Sequence, residues 1–166
     1  MIVVSTKGVR SKARREFIEL AAKKILGKLI NPRTNLDVEI IFKKMESADS
    51  PARKDLMLFG LCLPEEHGRF PRMFTIEISN EMELQEQMIT LSHELVHVKQ
   101  FATNELYEYA RQPIYRWRNK KYTNRVYSRR PWERQAYRLQ EKLWKEFVFE
   151  NPEVCKKMGL YSSSAV

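Results

Sequence analysis

The sequence predicts a small α+β domain, on three observations. Short segments in which apolar and polar residues alternate, as in half-buried strands, fall between long segments whose apolar residues recur at helical spacing. The 166 residues, 43% of them hydrophobic, are enough for one core and hardly for two. No internal repeat or low-complexity linker divides the chain, so residues 1–158 are expected to form one domain, followed by a loose, serine-rich tail at 159–166.

Ile2 to Val4 reads as a short first strand. A helix from about Ser11 to Ile30 follows, with Phe17, Leu20, Ala21, Ile25 and Leu29 at helical spacing, and Asn31-Pro32 ends it because proline disfavours helix at the preceding residue. Leu36, Val38, Ile40 and Phe42 alternate with Asp37 and Glu39, a half-buried strand. Met45 to Lys54 is a loop of small and polar residues. The continuous apolar run Leu56 to Leu63 predicts a central strand covered on both faces, and Pro64 to Pro71 a turn region. Phe74, Ile76 and Ile78 alternate with Thr75 and Glu77 in a further strand.

Asn80 with Glu83 has the spacing of a capping box, and no proline or glycine interrupts the helical pattern from there to about Thr103. Tyr115, Trp117 and Tyr122 around Asn119-Lys120 suggest a hairpin. Pro131 suits the first turn of a last helix, where its missing N–H costs nothing. Ala136, Tyr137, Gln140, Leu143, Trp144 and Phe147 lie along one face of that helix.

Only two cysteines occur, Cys62 and Cys155, far apart, which excludes a disulfide framework and a cysteine-based zinc site. The N-terminal apolar run is too short for a signal-peptide core, and no segment approaches a membrane span. A cytoplasmic protein is expected. The formal charge of +9 concentrates at Lys7–Arg15 and Arg111–Arg138, a balance that steers acidic partners without specifying a fold.

The chemistry is densest at His93-Glu94-Leu95-Val96-His97, in the middle of the second long helix. Histidines at i and i+4 share a face with Cβ atoms about 5–6 Å apart, close enough for two imidazoles to grip one ion. Glu94 flanks that face and can reach a water on the metal. Zinc lowers the pKa of such a water to about 7, and the carboxylate takes its proton and delivers it to the leaving amine. The alternative is a pair of hydrogen-bonded histidines on a packed helix, whose other face, Leu91, Leu95 and Val98, is apolar.

The segment Thr90-Leu91-Ser92-His93-Glu94-Leu95-Val96-His97-Val98-Lys99-Gln100 resembles the active-site helix of the zincin metallopeptidases. The resemblance implies a zincin-like domain: an N-terminal helix, a small, mostly antiparallel sheet, the active-site helix and a C-terminal helix. It also implies a strand before that helix, here Arg72 to Ser79, that offers its edge to an extended peptide. In size the chain resembles SprT-like, ImmA-like and phage-encoded members. A metzincin continuation is excluded, because Gln100 and Thr103 stand where it needs glycine and histidine. Gluzincin-like members take a glutamate from a later helix, and Pro131-Trp132-Glu133-Arg134-Gln135-Ala136 resembles that element, although Tyr137 replaces the acid some of them carry. The implied zinc ligands are then His93, His97 and Glu133, with Glu94 the general base. Glu105, Glu108 and His67 remain rivals for the third ligand. Gln100 can orient a ligand from behind, and Tyr137, Tyr127 or Tyr122 can face an oxyanion.

Two further functions stay open. Residues 107–130 interleave bases and aromatics: Tyr115, Arg116, Trp117, Arg118, Lys120, Lys121, Tyr122, Arg125, Tyr127, Arg129 and Arg130. Such a mixture can hold single-stranded nucleic acid by charge and stacking, and it also suits a solvated hairpin whose aromatics pack inward. SprT-like proteases act on proteins attached to DNA, so the two functions are compatible. The other is a catalytically silent zincin-fold protein that binds or senses.

Overall fold

The computed structural model describes residues 1–45, 59–109, 114–123 and 129–160. Strand β1 (Ile2–Lys7) leads into helix α1 (Lys12–Leu29), which returns the chain to β2 (Leu36–Lys43). Such a crossover brings β2 in parallel to β1, with Val4 opposite Val38. The helix starts where expected: the Ser11 hydroxyl accepts from the Arg14 N–H at 3.2 Å. Gly8, at φ +78°, makes the turn before it, and a Cβ there would lie 2.0 Å from the Phe42 carbonyl oxygen. Only glycine fits.

Strand β3 (Gly60–Pro64) runs antiparallel to β4 (Met73–Ser79), which in turn lies parallel to β2. The order is β1-β2-β4-β3. Two expectations change here. The main sheet is not mostly antiparallel: two of its three pairings are parallel, β1 with β2 through the α1 crossover and β2 with β4. The antiparallel pairing expected of it prevails instead in a second sheet, β5 (Leu106–Glu108), β6 (Ile114–Trp117) and β7 (Lys120–Thr123). The run Leu56–Leu63 does not supply a central strand either. Its described part forms β3 at the sheet's margin, half-buried, because β2 already occupies the other side of β4; residues 56–58 lie outside the described residues.

One face of the main sheet is apolar and covered. Val38, Ile40, Phe74, Ile76 and Ile78 are buried, while Lys7 pairs with Glu39 and Lys43 with Glu77 on the opposite face. Above the apolar face lies α2 (Leu84–Ala102), packed against β3, β4, α1 and α3 (Pro131–Glu150). Fourteen of its 19 residues are buried, so its polar residues have no water to turn to. The capping box expected at Asn80 does not form. Residues 80–82 turn out of β4, Glu83 caps the helix without a side-chain bond, and Gln87 Nε2 donates to the Ser79 carbonyl at 3.0 Å.

Helix α3 starts at Pro131, as expected, and buries Trp132, Glu133, Ala136, Leu143, Trp144, Phe147 and Val148. Phe17 of α1 meets Trp144 and Phe147 edge-on at 6.4 and 5.9 Å, contacts worth about 0.5–1.5 kcal/mol each beyond the area they bury. The chain stays packed beyond the expected start of the tail. Gly159 (φ +71°) closes α4 (Pro152–Lys157) with the Gly159 N–H on Lys156 and the Leu160 N–H on Cys155, and Leu160 is buried. Residues 161–166 lie outside the described residues. Among the described residues no helix is long and apolar enough to cross a membrane.

Candidate metal centre

Three side chains from two helices converge in the seam between α2 and α3. His93 and His97 project from one face of α2, and Glu133 reaches in from the first turn of α3. All three are buried, at 5–6% exposure. Glu133 Oε2 lies 3.1 Å from His93 Nε2, and Oε1 lies 3.3 Å from His97 Nε2. The two Nε2 atoms are themselves 3.1 Å apart.

Hydrogen placement follows from the groups behind the rings. Gln100 Nε2 donates to the Trp132 carbonyl at 3.0 Å and to Gln135 Oε1 at 2.9 Å, and the carbonyl can only accept. The Gln100 amide is thereby fixed with Oε1 towards His97, and His97 Nδ1–H donates to it at 2.8 Å. His93 Nδ1 faces Gln140 Oε1 at 2.9 Å, an acceptor for an Nδ1 proton. With the protons on Nδ1, both Nε2 lone pairs point into the space shared with the Glu133 carboxylate. Electron pairs so close repel one another unless a proton or a metal ion lies among them. The donor set therefore fits an ion, and the His93–His97–Glu133 group can hold one, each offering a ligand atom within 4.8 Å of the others.

The electrostatics agree. Burial lowers the His97 pKa, but the hydrogen bond and charge of Glu133, with Glu94 and Gln100 adding, push it up to about 9. Without a metal the pocket holds a proton. Burial raises the Glu94 carboxyl above its ordinary value; His97 and His93 oppose this and Glu133 reinforces it.

Glu94 is buried beside the triad, and β3 comes close to it. A Cβ on Gly60 would sit 2.8 Å from Glu94 Oε1 and 2.7 Å from Thr90 Cγ2, so any other residue there would displace the carboxylate. Cys62, two residues along β3, feels both Glu94 and Glu133; burial first and these charges second push its thiol well up.

Among the described residues the rival ligands do not join the histidines. Glu105 Oε1 takes Lys99 Nζ at 2.5 Å, Glu108 is exposed on β5, and His67 is exposed in the loop between β3 and β4. Tyr137 is 54% exposed, yet its ring stands 4.6 Å from that of His93. Tyr122 packs on Trp132, and Tyr127 lies outside the described residues. The strand before the helix cannot offer an edge, since β4 is paired on both sides; the outer strand on that side is β3.

The sequence reading missed Gln140, Gln135 and Gly60. A signal existed for two of them: Gln140 lies two turns beyond Glu133 on the same face, and a glycine in a strand often marks a close approach.

The basic–aromatic segment divides by face. Tyr115, Trp117 and Tyr122 turn inward onto Trp132, with ring centroids at 5.1, 6.3 and 5.7 Å, and Arg130 lies over Tyr115 and Trp132. Trp117 is only 8% exposed. Outward, Arg116 and Lys121 ride over Tyr107 and Tyr109. Arg125 lies outside the described residues.

No protein-family model, curated protein or solved structure matches this chain.

Proposed function

We propose that the protein is a zinc-dependent peptidase, with His93, His97 and Glu133 as zinc ligands and Glu94 as general base. The observation that carries this reading is the convergence of the two Nε2 lone pairs and one carboxylate, with a second carboxylate beside them outside the ligand set. Three nitrogen and oxygen donors that leave a fourth position open suit zinc in a catalytic role. Zinc bound there supplies a Lewis acid that polarises a carbonyl and acidifies water.

The chain's own residues do the rest. Glu94, its pKa raised by burial, takes a proton from the attacking water and hands it to the departing amine. Gly60 keeps that carboxylate in place and lets the β3 backbone pass close to it. An extended peptide running along the outer side of β3 would bring its carbonyl to Glu94 through main-chain pairing. Tyr137, exposed and with its ring 4.6 Å from that of His93, would be the side chain to meet the oxygen on which charge develops.

The test is hydrolysis of an unfolded protein by the zinc-reconstituted chain, beside metal analysis. One zinc per chain and cleavage that chelation stops are expected. Failure to take up zinc, or cleavage by Glu94→Gln at the normal rate, would sink the proposal.

A further inference from the structure

We infer that Gln140 is a positioning residue for His93, matched to Gln100 behind His97, and that these neutral amides orient both imidazoles without adding charge to the cage. The inference rests on the metal-binding part of the proposed function. Glu133, Tyr137 and Gln140 lie at i, i+4 and i+7 on α3, one stripe of the helix. All three surround the His93 imidazole. Glu133 Oε2 is 3.1 Å from Nε2, the Tyr137 ring is 4.6 Å from the imidazole centroid, and Gln140 Oε1 is 2.9 Å from Nδ1. One helix thus addresses both nitrogens of a ring carried by the other, and the ring cannot turn without losing two polar contacts.

The two histidines are braced differently. His97 is held by Gln100 of its own helix, which α3 then pins through the Trp132 carbonyl and Gln135. His93 is held directly across the seam, so the docking of α3 sets its orientation. An amide oxygen needs a proton on Nδ1 and so leaves Nε2 bare for a metal. A carboxylate would do the same and would also make the imidazole a stronger donor, but Glu94 and Glu133 already place two carboxylates in this buried pocket. Another would add desolvation cost. A neutral prop gives orientation alone.

The full chain, Gln140→Leu and Gln140→Glu are compared by competition for zinc with a chromogenic chelator, with metal-free melts as a fold control. Gln140→Leu is expected to weaken zinc binding about 10–100-fold, the usual effect of removing an outer-shell partner. Gln140→Glu, which keeps the acceptor, should bind at least as tightly as the wild type. In the zinc-loaded proteins the His93 Nδ1 proton should exchange slowly by NMR in the wild type and Gln140→Glu, and fast in Gln140→Leu; loss of packing alone would not sort the variants this way. Should Gln140→Leu fail to fold, Gln140→Asn replaces it, an amide too short to reach, with the same weakening expected. Wild-type affinity in the Leu or Asn variant, or a Glu variant as weak as they are, overturns the inference while leaving the metal site standing. A wild type that takes up no zinc overturns both.

Discussion

The α2–α3 seam and the β5–β7 sheet are both dense in polar side chains, and they use them in opposite ways. In the seam His93, Glu94, His97, Gln100 and Glu133 are at most 6% exposed, and the hydrogen bonds of the histidines, Gln100 and Glu133 run to one another and to the backbone and the Gln135 and Gln140 side chains of α3. In the sheet the cations of Arg116 and Lys121 lie over the tyrosine rings of the outer face. A buried polar group that loses its partner cannot turn to water, whereas a surface cation can. Buried polar density, more than charge density, therefore marks the site. The +9 charge drew attention to the sheet, whereas the seam was read from the spacing of His93 and His97.

The sharpest test lies in the seam. Glu94→Gln should lower peptide hydrolysis by about 10²–10⁴-fold while zinc content is unchanged, as removal of a general base does. Initial rates measured beside metal analysis decide it, and a variant that loses its zinc would make Glu94 a ligand. Glu133→Ala should weaken zinc binding by more than the roughly 10–100-fold of an outer-shell loss, with Glu105→Ala and Glu108→Ala close to wild type in the same chelator competition.

The inner face of the sheet should behave like core. Trp117→Ala is expected to cost about 3–5 kcal/mol in denaturant titration, since the indole packs on Trp132. A stable Trp117→Ala variant that loses affinity for an oligonucleotide would return this tryptophan to the nucleic-acid reading.

The fourth prediction concerns pH. His97 has its folded pKa raised to about 9 from 6.5, so its protonation stabilises the metal-free fold fully below about 6.5 and that contribution fades as pH climbs to 9. The melting temperature of chelator-treated protein should fall across this window, and zinc affinity should rise over it, because the metal displaces the same proton. A metal-free melting temperature that is flat from pH 6.5 to 9 would contradict the His97–Glu133 pairing.

The smallest effect belongs to the outer face. Lys121→Ala should change stability by no more than about 0.5–1 kcal/mol, the range for an exposed cation over a ring. A larger loss, read in the same denaturant titration, would mean that this face holds the fold together as the seam does.

How much of this was legible in the sequence depended on distance along the chain. His93 and His97 could be read directly, because one helical turn ties their spacing to a shared face. Helix α1 was equally plain, because its apolar period is local. Glu133 was reached only through resemblance, since nothing in spacing connects it with His93. The edge position of β3 was hidden for a related reason: strand order is set by pairing between distant segments, and an apolar run looks alike at a centre and at a margin. Gln140 was legible as part of the last helix's face but not as a partner of His93, because that contact exists only once α3 docks on α2.

The division of ligands between α2 and α3 also orders events in time. Residues 98–132, with the whole β5–β7 sheet, lie between the two histidines and the glutamate. At about 5–20 residues per second, a ribosome needs several seconds to travel from one part of the site to the other. During that interval the growing chain owns two imidazoles and no carboxylate to complete them, nor the glutamine that orients His93. A centre divided in this way is complete only once its last long helix docks.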